Sequence, residues 1–189
     1  MRKNLMPIPG IFVMPLVLIA TYSDDKTADL MPAAWARICG VNKVALSLGT
    51  ERKTLMNIML REAFTLSFAN AQYMKEMDFL GTTSAYSMPD KLAKAGFHFV
   101  KSKHVDAPII SEFPVAIECE LEDIKDEFGE KRVKGKIINV NADTEILDSE
   151  GKIDVSKLDA LMFEQYRNCY YVVGQKIGKA FEMGKELLN

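Results

Sequence analysis

Histidine, tryptophan and cysteine are scarce in this chain. Among 189 residues the only histidines are His98 and His104, the only tryptophan is Trp35, and the only cysteines are Cys39, Cys119 and Cys169. The cysteines are far apart and form no CxxC, which leaves neither a zinc knuckle nor a redox dithiol and points to three reduced thiols. The histidines lack the ligand spacing of a metal site, so structural or surface roles are expected of them. The 11 glycines include no GxGxxG, which removes the Rossmann fingerprint. Gly174-Gln175-Lys176-Ile177-Gly178-Lys179 is one residue short of a P-loop and has Ala180 where a magnesium-holding hydroxyl belongs. It reads instead as a turn into a last helix. GxSxG and HExxH are missing too. Charge of one sign never accumulates: the net charge is −2, which excludes a nucleic-acid surface. The apolar stretch 11–20 is too short to span a bilayer and is broken by Pro15. Arg2 and Lys3 precede it as in a signal peptide, but Ala20-Thr21-Tyr22 makes a poor cleavage site. A cytoplasmic protein without membrane or nucleic-acid partners is the expectation. If it is an enzyme, a cofactor carries the chemistry.

What is present suits one globular domain over residues 1–189, with 48% apolar and 26% charged residues and no linker or repeat. Strands are expected at 16–22, 43–48 and 64–69. Val115, Ile117, Cys119 and Leu121 alternate with Ala116, Glu118, Glu120 and Glu122, a strand with one dry and one wet face. Phe128-Gly129-Glu130 then turns into a partner strand over 132–140. Thr50 is expected to cap a helix reaching 62, with Leu55, Ile58 and Met59 on one face. Asn70 caps a short helix carrying Tyr73, Met74 and Met77, and another helix runs from Pro89 to Gly96. Residues 154–165 and 177–188 read as helical, 170–173 as extended. Strands in hairpin-like pairs with irregular helices between them predict a mainly β fold, an antiparallel barrel with peripheral helices.

Three segments carry a chemical signal. Ala28-Asp29-Leu30-Met31-Pro32-Ala33-Ala34-Trp35 surrounds the lone tryptophan with small residues that admit a ligand to the backbone. Trp35 filling the core is the competing reading. Ser47-Leu48-Gly49-Thr50-Glu51-Arg52-Lys53-Thr54 ends a strand, turns at a glycine and opens a helix with free N–H groups, hydroxyls and two cations. Cations in a first turn oppose the helix dipole, and a bound phosphate monoester relieves that conflict. A solvated charged turn is the alternative. Gly81-Thr82-Thr83-Ser84, followed by Pro89-Asp90-Lys91, is a hydroxyl-rich loop before a capped helix.

In this order the segments resemble the flavin reductase-like family, whose small members include flavoredoxins. The resemblance runs from Leu16-Val17-Leu18-Ile19-Ala20-Thr21 through the Trp35 segment, Arg52-Lys53-Thr54, Asn57-Ile58 and the 64–68 strand. It continues through Asp78-Phe79-Leu80-Gly81 and Asp90-Lys91 to Tyr170-Tyr171-Val172-Val173-Gly174. It implies a Greek-key FMN-binding split barrel and a homodimer with the flavin near the subunit interface. By the same resemblance Asp29, Met31, Pro32, Ala33, Ala34 and Trp35 line the isoalloxazine. Ser47, Lys53 and Thr54, beside Leu48 and Gly49, hold the ribityl phosphate. Lys91 reaches the flavin or its phosphate, and Phe163 or a neighbour closes the pocket, from the same or the other subunit. The 70–79 helix is a candidate part of the interface. The implied activity is NAD(P)H-dependent flavin reduction, with NADH or NADPH as donor. The alternatives are a flavoredoxin-type carrier that exchanges electrons with a redox protein, and a flavin-free relative of the same fold. Two departures stand out. Asp29 and Met31 occupy positions where many relatives carry Asn or Thr, and an acid near the ring lowers the flavin potential. Lys131-Arg132-Val133-Lys134-Gly135 stands where many relatives have a His before the Gly.

Overall fold

A computed structural model describes residues 2–5, 7, 11 and 13–188. Its strands are β1 Met14–Pro15, β2 Val17–Tyr22, β3 Ala28–Ala33, β4 Ala36–Gly40, β5 Lys43–Gly49, β6 Ala63–Phe68, β7 Phe99–Lys101, β8 Pro108–Ile110, β9 Val115–Glu127, β10 Glu130–Ala142, β11 Leu161–Glu164 and β12 Cys169–Val172. Among the described residues three α-helices intervene: α1 Lys53–Arg61, α2 Met74–Thr82 and α3 Lys91–Lys94. Seven strands form one antiparallel sheet in the order β3-β2-β6-β9-β10-β5-β4.

The two edges of that sheet are consecutive in the chain. Only Ala34 and Trp35 separate β3 from β4, and so short a link spans roughly 10 Å at most. The opposite edges therefore meet at this corner and the sheet curls into a barrel. No ladder joins β3 to β4 among the described residues, so the barrel is split there. β2 is buried on both faces because it has a neighbour on each. Val17 and Ile19 point into the barrel with Leu46, Phe64 and Val133. Leu18 and Ala20 point outward beneath Met77, Leu80, Phe97 and Phe113. That is why its sequence is continuously apolar rather than alternating. Tyr73 and Met77 of the 70–79 segment serve this outer core, with Tyr73 edge-on to Phe97 and Phe113, and Met74 is exposed.

Several expectations need correction. Residues 154–165 are not a helix. Asp154 accepts from Ser156 N at 3.0 Å and closes a 3-10 turn over Val155–Lys157, and Leu161 N then bonds Ala69 O at 2.8 Å to open β11. Tertiary strand pairing overrides the local pattern there. Of 177–188 only Met183–Leu188 forms a 3-10 turn. Ile177 and Phe181 are exposed, and a short helix without packing is marginal. Thr50 caps nothing: α1 starts at Lys53, its N-cap position is Arg52 and no side chain caps it. Met59 is exposed while Leu55 and Ile58 are buried. The wet face of β9 is interrupted by Glu118, which is 1% exposed. Its carboxylate accepts from Ser102 Oγ and from Asn139 Nδ2. The β9–β10 turn is confirmed, with Phe128 at φ 50° and Gly129 at φ 88°, the backbone of a type I′ hairpin.

Candidate functional site

The corner where the barrel closes carries a groove made of two adjoining pockets. The first, of about 280 Å³, is lined by Met31, Pro32, Ala33, Ala34, Trp35, Ser47, Leu48 and Gly49. The second, of about 540 Å³, is lined by Asp29, Thr50, Lys53, Thr54, Thr83, Ser84 and Lys91. Met31, Gly49, Arg52 and Glu130 belong to both. The segment read as a loop before Trp35 is mostly strand β3, whose small side chains keep the wall thin. Trp35 is 43% exposed: it walls the groove rather than filling the core. On its other side lies an apolar hollow of about 470 Å³, edged by Met14, Pro15, Arg37 and Arg132.

At the far end, α1 presents its first turn to the second pocket. Arg52 N donates to Gly49 O, and Leu55 N and Met56 N to Arg52 O. The N–H groups of Lys53 and Thr54 thus have no backbone acceptor among the described residues, as is usual for a helix start. The Arg52 side chain has no ion-pair partner among them either. Lys53 Nζ stands 5.5 Å from the Tyr86 ring centroid and 3.9 Å from Asp24 Oδ1. Positive groups with no acid in the helix's first turn make this end receptive to an anion.

Below that end lies a buried charge cluster. Thr54 Oγ1 donates to Asp29 Oδ2 at 2.7 Å. Lys91 Nζ donates to Thr83 O at 3.2 Å and to Leu80 O at 3.3 Å. Its third neighbour is Asp29 Oδ1 at 3.1 Å, an ion pair too bent for a directed hydrogen bond.

The structure thus gathers twelve of the thirteen residues expected from the sequence around one groove. It rearranges their parts. Ser47 lines the Trp35 end, away from the α1 start, so Ser47, Lys53 and Thr54 do not converge on one point. The Thr54 hydroxyl proton is given to Asp29. Lys91 is engaged by protein atoms. Phe163 is absent from the groove: it sits on β11 opposite Met14, 5.7 Å from the Tyr170 ring. Within the 131–135 stretch, Lys131 pairs with Asp126 at 2.6 Å and Arg132 with Glu127. Sequence reasoning left out Arg52 as a lining residue, and it read Gly129 and Glu130 only as a turn and not as part of the site. The hairpin tip reaches the groove only because β10 pairs with β5, placing Glu130 opposite Gly49. No group of three or more His, Cys, Asp or Glu that could hold a metal occurs among the described residues. No helix among them is long and apolar enough to cross a membrane.

Fold and groove together define an antiparallel split β-barrel with a ligand groove at its closing corner. The model of the family described as "Flavin reductase like domain" matches residues 10–169, and the chain belongs to that family. It is similar to the solved flavoredoxin of Desulfovibrio vulgaris (Miyazaki F), with 35% identity, a TM-score of 0.92, and 97% of this chain and 100% of that one covered. It is similar also to the flavoredoxin from Methanosarcina acetivorans, with 23% identity and a TM-score of 0.89 over 98% of this chain and all of that one. An uncharacterized protein of Aeropyrum pernix is 26% identical over 113 residues. The match covers 59% of this chain but only 43% of that relative's length.

Proposed function

We propose that the chain binds FMN in this groove and carries electrons through it, in the manner of a flavoredoxin. The observation that supports the reading is the groove's polarity. A slot of small and apolar side chains beside Trp35 suits an isoalloxazine. It leads to a single anion-receptive end at Arg52, Lys53 and the free N–H groups of α1, which suits one phosphate monoester and gives no second site for a pyrophosphate. Bound there, FMN supplies the redox chemistry; the chain orients the ring, keeps water from one of its faces and balances the phosphate charge. No nucleophile or acid–base pair is needed. The 35% identity to a protein described as a flavoredoxin, over nearly the whole of both chains, favours the carrier over a reductase with its own nicotinamide specificity. A second reading, NAD(P)H-dependent flavin reduction, draws on the apolar hollow behind Trp35, where Arg37 and Arg132 could meet a nicotinamide dinucleotide. A homodimer and a redox-protein partner belong to the same proposal.

The protein is expected to purify yellow or to take up FMN, identified by mass after heat release. FAD instead defeats the FMN assignment, and no flavin after reconstitution favours a flavin-free relative. Anaerobic stopped-flow reduction separates the two redox readings. Bleaching by a reduced ferredoxin-type donor but not by NADH or NADPH supports the carrier, and rapid bleaching by either nucleotide supports the reductase.

A further inference from the structure

The buried ion pair under the groove carries an inference that rests on the flavin reading and deepens it. The Asp29 side chain is 5% exposed and that of Lys91 is 4%. Charges so far from water persist only when balanced and hydrogen-bonded. The ammonium donates to Leu80 O and Thr83 O, and Asp29 Oδ1, 3.1 Å away, balances its charge as an ion-pair partner without a directed hydrogen bond. The two carbonyls sit at the C-terminal end of α2, where a cation is favoured. Asp29 Oδ2 is taken by Thr54 of α1. Neither charge is left over for a ligand, although both residues line the pocket.

We propose that Asp29 and Lys91 act as one neutral positioning pair, tying the end of α2 and the first turn of α1 to β3 while cancelling each other's charge toward a bound flavin. On this reading the acid at position 29 does not lower the flavin potential, because its charge is answered 3.1 Å away. Lys91 likewise does not serve the phosphate, which is left to Arg52, Lys53 and the α1 N–H groups.

The test compares Asp29→Asn, Lys91→Met and the double variant, measuring FMN and riboflavin affinity by fluorescence and the midpoint potential of the bound flavin. Asp29→Asn bares the ammonium, so the potential rises and the preference for FMN over riboflavin grows by about threefold or more. Lys91→Met bares the carboxylate and moves both quantities the other way. The double variant returns the FMN preference to within about twofold of wild type and cancels the shift in potential. Equal FMN losses in Lys91→Met and the double variant would overturn the proposal, since Lys91 would then be a direct ligand of the phosphate. So would single variants that shift the potential in the same direction. If Lys91→Met does not fold, the double variant still decides, by reversing or not reversing the Asp29→Asn shift. Wild type that binds no flavin defeats the proposed function alone. The pair is then read in the apo protein, where a double variant melting above Lys91→Met supports it and one melting no higher overturns it.

Discussion

Gly135 shows how tightly single atoms are fixed inside the barrel. A Cβ built there would stand 2.4 Å from Phe64 Cζ, 2.9 Å from Phe64 Cε1 and 3.3 Å from Cys119 Cβ. Phe64 is fully buried and has no room to retreat. Gly135→Ala is expected to destabilise the protein by about 1–3 kcal/mol through overpacking, read as a lower midpoint in urea; an unchanged midpoint would mean the ring moves freely. At Cys119, burial first and Glu118 second push the thiol up to about 12. The thiolate is the reactive form. With a thiol reagent at pH 8, exposed Cys39 should therefore react promptly and Cys119 only after unfolding. Prompt labelling of Cys119, mapped by mass, would contradict the buried placement.

Among the elements, the start of α1 is where sequence and structure agree in kind and differ in detail. The turn, the cations and a helix start with free N–H groups were legible in Ser47 to Thr54 because they depend on adjacent residues, although the expected Thr50 cap is not formed. Which side chains face the groove was not, because that depends on what lies across from them. Thr54 turns inward to Asp29 on β3, twenty-five residues away, and Ser47 falls at the other end. With one charge-assisted phosphate contact worth about 1.5–3 kcal/mol, Lys53→Ala and Arg52→Ala should each weaken FMN binding about tenfold or more and leave riboflavin binding nearly unchanged. Equal losses for both ligands in titration would move the phosphate elsewhere. The two helices expected near the C-terminus failed for different reasons, 177–188 because its Ile177 and Phe181 stay exposed and no packing supports a helix. Helical periodicity at 154–165 is outbid by pairing with residues 16 and 69, contacts that no local window contains.

At the scale of the whole molecule, a split barrel leaves edges and apolar surface to be covered. β4 is an edge strand exposed along most of its length, and Ile38, Val41, Phe128 and Phe181 lie open. Trp35, half exposed, leaves one side of the groove uncovered. A second copy packed over this corner would cover both. Sedimentation at micromolar concentration is expected to give twice the 21.2 kDa of the chain; a single monomer species would rule the homodimer out. The 70–79 helix is not the first place to look for that interface, since Tyr73 and Met77 are spent on the core.

The sequence by itself determined the antiparallel character of the fold, the β9–β10 hairpin, the small-residue segment around Trp35 and the anion-receptive helix start. Each of these rests on spacing within a few residues or on the backbone preferences of one turn. Only the tertiary structure decided that residues 28–33 form an edge strand, that the hairpin tip at Gly129 and Glu130 reaches the groove, and that Glu118 is buried. It also decided that Asp29 and Lys91 answer one another. These facts come from the closure of the sheet, which sets edge strand against edge strand and turns residues distant in sequence into neighbours; the energy of a buried charge depends on those neighbours and not on the residues beside it in the chain.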